Sequence, residues 1–344
     1  MRGRAFYAGT GIENTWIAQE DQPGKRVLDV FLQMDHYERW EGDLSLAADL
    51  GVNAIRYSVP WYRSEPAPGR FDWDWIAGPL EWFRRRDITA IVDLLHYGTP
   101  TWLENGLLKR AFPERLADYA QAFARRFDGV VDHYTPVNEP QTAASMMGWH
   151  GVWPPYLHGI DVWLTMLVPA ARAVVLCTQA LRAASPAAVL ISADCDFTPP
   201  FDAVAAAAGM AAAAAGPLDA REQLIHDAFA GMLAYGAVPR DHPTARAVLR
   251  LGLPESALEW FRGQAARPDI VGFNDYPDFA KTGYEEAGGR LLERLRILHG
   301  ILGLPVYVTE TSAGRDEAKS SRGSGSSASS ASRRGPRRLE NSSS

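Results

Sequence analysis

Short apolar or β-branched runs alternate along the chain with longer segments whose apolar residues recur at helical spacing. The runs AFYAGTG (5–11), NAIRYSV (53–59), TAIVDLLH (89–96), VDHYTPV (131–137), AVLISAD (188–194), DIVGFND (269–275) and PVYVTET (305–311) read as strands. Between them, YERWEGDLSLAADLG (37–51), FDWDWIAGPLEWFRRRD (71–87), PERLADYAQAFARRFDG (113–129) and VWLTMLVPAARAVVLCTQALRAAS (162–185) read as helices, the first stopping at a glycine. FDAVAAAAGMAAAAAG (201–216) is built from strong helix formers but has little to fix a partner, so it reads as a permissive surface helix or loop. Strand–helix alternation with near-continuous apolar strands predicts a parallel sheet covered by helices.

A doubly wound sheet and a closed (β/α)8 barrel both fit this rhythm. Polar residues decide between them. Arg56, His96, Asn138, Glu139, Asp194, Asn274 and Glu310 recur at or near the C-terminal ends of strands, and in a barrel those ends converge on one face, where active sites form. No glycine-rich turn follows the first strand, so a dinucleotide-binding fold has no support. The expected fold is therefore α/β, a TIM-type barrel. Seven strands are counted where eight are expected. Residues 315–344, RDEAKSSRGSGSSASSASRRGPRRLENSSS, hold almost no large apolar side chains and are expected to be a disordered tail. The expected organisation is an incomplete barrel over 1–314, with strand 8 lost by truncation, and a tail over 315–344. Open edges on the first and seventh strands would favour self-association.

Composition narrows the function. A hydrophobic fraction of 47% and a charged fraction of 22% are those of a soluble globular chain. A net charge of -6 gives no footprint for nucleic acid or an anionic membrane. No run of about 18 apolar residues stands out as a membrane span, and the N-terminus has no apolar signal core, so a cytoplasmic location is the default. Two cysteines, Cys177 and Cys195, make no disulfide framework and read as small buried hydrophobes. His36, His133, His150 and His158 lack metal-ligand spacing, and DCD at 194–196 is too short for a calcium loop. No cofactor or metal is expected. Eleven tryptophans gather near turns and strand ends, where they either fill core space or offer flat platforms to sugar rings.

The segment YTPVNEP (134–140) places Glu139 straight after the fourth strand, and Glu310 ends the seventh. In an eight-stranded barrel these ends face each other across the mouth. Two carboxylates flanking one bond are what glycoside hydrolysis requires: one protonates the leaving oxygen, the other attacks the anomeric carbon or activates water.

These motifs are recognisable. TPVNEP resembles the acid/base segment of family 1 glycoside hydrolases, the β-glucosidase family, and VYVTETSA resembles the nucleophile segment, usually Thr-Glu-Asn-Gly. DLLHYGTPTWL is similar to the strand-3 segment His-Trp-Asp-Leu-Pro, IRYSVPWYRSEPAPGRFDW to the strand-2 segment, GWHGVWPPY to the loop after the acid/base, and VGFNDYP to Gly-x-Asn-Tyr-Tyr. Together they run in order over residues 5–313.

The resemblance implies a retaining β-glycosidase acting on small β-glycosides. It assigns Glu139 as acid/base and Glu310 as nucleophile, roles that demand opposite pKa shifts. It also implies that Asn138 binds the sugar 2-hydroxyl and His96 a ring hydroxyl, that Tyr276 tunes Glu310, and that Arg56 pairs with Glu310. Asn274 and Trp61 join the substrate-binding set, and either Glu13 or Gln19 takes a further sugar contact. Tyr97-Gly98 stands where the family has Trp-Asp, and Thr311-Ser312 replaces Asn-Gly, departures that bear on which sugar is bound. The competing expectation, from the missing strand 8 and the altered glycone motifs, is a catalytically inactive barrel that binds sugar or serves as a domain of a larger protein.

Overall fold

The structure is a computed structural model that describes residues 7–17, 28–104, 106–210, 216–276 and 283–312. The tail 315–344 and Gln19 lie outside the described residues.

The strands follow the predicted rhythm but are shorter. They are β1 (Gly9–Ile12), β2 (Trp16–Ile17), β3 (Leu28–Asp29), β4 (Ala54–Ser58), β5 (Thr89–Asp93), β6 (His133–Thr135), β7 (Val189–Leu190), β8 (Asp194–Cys195), β9 (Val271–Asn274) and β10 (Val306–Glu310). Two parallel sheets form, in the orders β1-β4-β5-β6-β7 and β10-β9-β8. The single strand expected over 188–194 is split into β7 and β8. Ile191 and Ala193 keep bridges to Ile270 and Asn138, so the curved wall continues from one sheet to the other. Counted around this wall, β6 is the fourth strand and β10 the seventh, as the sequence predicts. Among the described residues β1 pairs only with β4, and β10 only with β9. The small antiparallel pair β2–β3 was not expected from the pattern; its two-residue strands are too short to show alternation.

Close packing between β-strands explains one glycine in this wall. A Cβ on Gly272 of β9 would stand 1.9 Å from the Ser192 carbonyl oxygen and 2.5 Å from Thr309 Cγ2. Only a residue without a side chain lets β9 sit between its neighbours.

The predicted helices occur as His36–Asp49, Asp74–Arg86, Phe112–Arg126 and Ile160–Ala184. Phe112–Arg126 starts with a proline in its first turn, carries Glu114 there, and ends on Arg125 and Arg126, which suits the helix dipole. Its face Phe112, Leu116, Tyr119 and Phe123 is fully buried and its main helical neighbour is Ile160–Ala184. Burying each such side chain stabilises the fold by about 1.5–3 kcal/mol. Ile160–Ala184 corrects the expectation that no segment is long and apolar enough to span a membrane: by length and composition it qualifies. Its apolarity has a nearer cause, because it lies between Phe112–Arg126 and the helix Pro140–Ala144 and buries most of its apolar residues in the core. The alanine-rich stretch is helical over Phe201–Ala207, and Tyr284–Leu302 is a further helix that leads into β10.

Candidate active site

The site is built around Arg56. It sits at the middle of β4, not at its end, in register with Gly11 of β1 and Ile91 of β5. It is 3% exposed. A buried guanidinium needs carboxylates, and three supply them. Nη1 donates to Glu13 Oε1 at 2.9 Å and to Glu310 Oε1; Nη2 donates to Asp93 Oδ2 at 3.2 Å and to Asn138 Oδ1 at 2.7 Å. Burial opposes its charge, but the surrounding carboxylates outweigh burial and raise its pKa above the ordinary value. Burial pushes the Glu13 carboxyl up to about 7; Arg56 opposes this, and neighbouring Glu310 adds to it.

Asp93 links Arg56 to His96. Its Oδ2 takes the His96 Nδ1 at 2.7 Å. Burial would raise Asp93, yet Arg56 and His96 hold it below the usual carboxylate range. Burial would lower the His96 imidazole, yet its bond to Asp93 keeps it above its ordinary value. The other ring nitrogen, Nε2, lies 3.5 Å from Asn138 Nδ2.

Glu139 is set by the backbone. It is a non-glycine residue in the left-handed region, φ 39° and ψ 62°, at the N-terminus of the helix Pro140–Ala144. A backbone of that kind costs about 1–3 kcal/mol and persists only where its surroundings fix it. Its own N–H donates to the Ala193 carbonyl at 2.8 Å, and Pro140 presets the first helical turn. The side chain is 4% exposed. Both oxygens are held: Asn274 Nδ2 donates to Oε1 at 2.6 Å, and the Tyr97 hydroxyl donates to Oε2. Thr309 in turn donates to Asn274 Oδ1 at 2.6 Å, which fixes the amide's orientation.

Glu310 ends β10, paired with Asn274 of β9. Arg56 holds its Oε1 and the Tyr276 hydroxyl donates to its Oε2. Burial, then Glu310, push the Tyr276 phenol above its ordinary value, and Glu139 adds to the shift; burial, Glu139 and, more weakly, Glu310 do the same for Tyr97. Both glutamates therefore act on the same two phenols. A cavity of about 740 Å³ opens beside Glu13, Arg56, Tyr276 and Glu310. Ligand atoms of Glu13, His96 and Glu310 lie within 4.8 Å of one another. This is no invitation to a metal ion, because Arg56 Nη1 already bonds both Glu13 and Glu310.

Of the residues singled out from the sequence, Glu139, Glu310, Arg56, Asn138, His96, Tyr276, Asn274 and Glu13 come together in this network. Trp61 stands apart. It is 2% exposed, stacks on Tyr119, and donates through its indole N–H to Glu65 Oε2 at 2.6 Å. It shares the lining of a small pocket with His96 but does not line the large cavity beside Glu310. Sequence reasoning passed over Asp93 and took Tyr97 only as a departure. A signal existed for Asp93: a buried Arg56 calls for carboxylates on the next strand, and Asp93 closes β5 opposite Ser58. Tyr97 had none, since its reach to Glu139 depends on its own left-handed backbone, φ 72°.

The sequence model of glycosyl hydrolase family 1 matches residues 10–289. Beta-glucosidase 44 of Arabidopsis thaliana is 29% identical over 164 residues, 45% of this chain and 32% of that protein. A bifunctional beta-D-glucosidase/beta-D-fucosidase of Bifidobacterium breve is 35% identical over 122 residues, 33% of this chain and 26% of its own length. The matched region thus spans about a third or less of these relatives. A solved β-glucosidase from Thermotoga maritima in complex with deoxynojirimycin superposes with a TM-score of 0.65 at 21% identity, covering 80% of this chain and 67% of the other. That likeness establishes the fold as the TIM-type barrel.

Proposed function

Because the chain belongs to glycosyl hydrolase family 1, we propose that it hydrolyses small β-glycosides by double displacement, with Glu310 as nucleophile and Glu139 as acid/base. One observation carries this reading: a buried cation, Arg56, bonds Glu310, whereas only the neutral Asn274 and Tyr97 donate to Glu139. A cation beside one carboxylate and neutral partners beside the other suit the different tasks of nucleophile and proton donor. In the first step a Glu310 oxygen bonds to the anomeric carbon, the glycosidic C–O bond breaks, and the Glu139 proton passes to the departing oxygen. In the second, water attacks that carbon, gives its proton to Glu139, and frees Glu310. A phenol both donates and accepts, so the Tyr97 hydroxyl can serve either charge state of Glu139.

Asn138 and His96 lie beside Arg56 and are the sugar-binding residues in this reading, with Glu13 on the cavity wall. Asn274 is given to Glu139 rather than to the sugar. A second reading, sugar binding without turnover, is favoured by the closure of Glu139, 4% exposed with both oxygens occupied. A panel of aryl β-glycosides assayed with the full chain and with Glu310→Ala decides. Turnover that falls by at least about 10³-fold in the variant supports hydrolysis. Binding of a glycoside by calorimetry without turnover, unchanged in the variant, supports the second reading.

A further inference from the structure

Arg294, on the helix Tyr284–Leu302, lies on the outer side of the barrel wall, and among the described residues it has no ion pair with a member of the proposed catalytic network. Its guanidinium meets three carboxylates from three different segments. Nη2 is 2.7 Å from Asp196, just after β8, and 3.5 Å from Asp227; Nη1 is 3.4 Å from Asp275, just after β9. It also stands over the Phe273 ring, 5.4 Å from the centroid. Arg294 is 29% exposed at its side chain, and Asp227 and Asp275 are 9% and 11%, so these pairs are screened less than surface ones.

Side chains alternate across a strand, and the end of β9 uses both sides. Phe273 and Asp275 face Arg294. Asn274 and Tyr276 face inward, where Asn274 donates to Glu139 and Tyr276 to Glu310. The Asp275 backbone N–H also donates to the Glu310 carbonyl at 2.9 Å. One four-residue segment therefore holds both carboxylates from inside; of its outward residues, Phe273 is buried in the core and Asp275 pairs with Arg294. Phe273 and Asn274 are paired into the sheet on both sides and Thr309 fixes the Asn274 amide, whereas Tyr276 lies beyond the last strand pair, is 52% exposed, and directly follows Asp275.

We propose that Arg294 is a positioning residue for the reaction: by clamping Asp275 from outside, it fixes the adjoining Tyr276 against Glu310. This rests on the proposed hydrolysis, and the test separates the two. In Arg294→Gln, kcat is expected to fall about 10-fold or more with KM changed by less than about 2-fold, since displacement by a fraction of an ångström is costly to chemistry but not to ground-state binding. Arg294→Lys keeps the charge and is expected to recover a large part of the loss. In a Tyr276→Phe background the Arg294→Gln effect is expected to shrink below about 2-fold, because residues acting through one another are not additive. Native kcat in Arg294→Gln, or full additivity with Tyr276→Phe, overturns the proposal. A variant that is merely less stable would show a lowered melting point with additive kinetics. Independently of turnover, 3-fluorotyrosine at position 276 reports the phenol's surroundings by ¹⁹F NMR, in both the native and Arg294→Lys or Arg294→Gln chains. An altered resonance in Arg294→Gln supports the clamp, and an unaltered one overturns it. A native chain without turnover on any glycoside sinks the hydrolysis reading, and the ¹⁹F comparison still decides the clamp.

Discussion

Tyr97 shows how much one side chain carries here. It is buried, in a left-handed backbone, with its ring edge-on to His96 at 4.7 Å and its hydroxyl on Glu139. A buried hydrogen bond is worth about 0.5–1.5 kcal/mol, so Tyr97→Phe is expected to lower kcat by about 2–10-fold. KM should change little, because the hydroxyl touches Glu139 and not the residues proposed to bind the sugar. Steady-state kinetics on one aryl β-glycoside checks it; a rise in KM at unchanged kcat would place Tyr97 in substrate binding instead. Arg56 works at the same scale but with opposite logic, since three carboxylates depend on one cation. The presence of an arginine within an apolar strand run was legible in the sequence. The identity of its partners was only partly so, because Glu13, Asp93 and Glu310 come from three strand-end segments far apart along the chain.

At the level of elements, the barrel wall places every inward side chain by register. β9 must approach β10 and the chain between β7 and β8 closely, and Gly272 is what permits it. Gly272→Ala puts a methyl carbon 1.9 Å from a backbone oxygen that cannot rotate away. Overpacking of this kind costs about 1–3 kcal/mol or more, and the strand it shifts carries Asn274. The expected outcome is a lower unfolding midpoint in urea together with lower kcat per folded molecule. A variant of native stability would show that the wall yields at this point. The split of the fifth strand into β7 and β8 was not visible in AVLISAD, which reads as one strand; it arises where the wall bends from one sheet to the other, which only pairing partners determine.

Across the whole molecule, buried titratable groups set opposing pH dependences. Burial lifts Asp194 from 3.8 to about 6, against the hydrogen bond from Tyr235, and lifts Asp227 to about 6. A carboxyl raised in the folded state contributes stability that is full below its unfolded pKa, near 4, and is lost as pH rises through about 6. Burial pushes the His226 imidazole from 6.5 down to about 4. Its contribution is full above 6.5 and is lost as pH falls toward 4. Asp194→Asn removes one of the first kind. The variant is expected to gain in melting temperature relative to the native chain at pH 8 and to lose that advantage at pH 4. For a shift of about two pKa units the swing is on the order of 3 kcal/mol. Equal differences at both pH values would mean that Asp194 does not titrate in the folded protein.

The sequence by itself determined the alternation of strands and helices, the convergence of polar residues at strand ends, and the ordered motifs that carry Glu139 and Glu310. These are local properties: period, run length and the cost of burying charge act on neighbours in the chain. Tertiary structure alone decided the rest. It stacked Trp61 on Tyr119, far along the chain, and kept it off the cavity beside Glu310. It put Tyr97 on Glu139 and Arg294 behind Asp275, and it broke the fifth strand. Each of these depends on which surfaces meet in space, and a one-dimensional pattern records what a residue prefers but not what it faces.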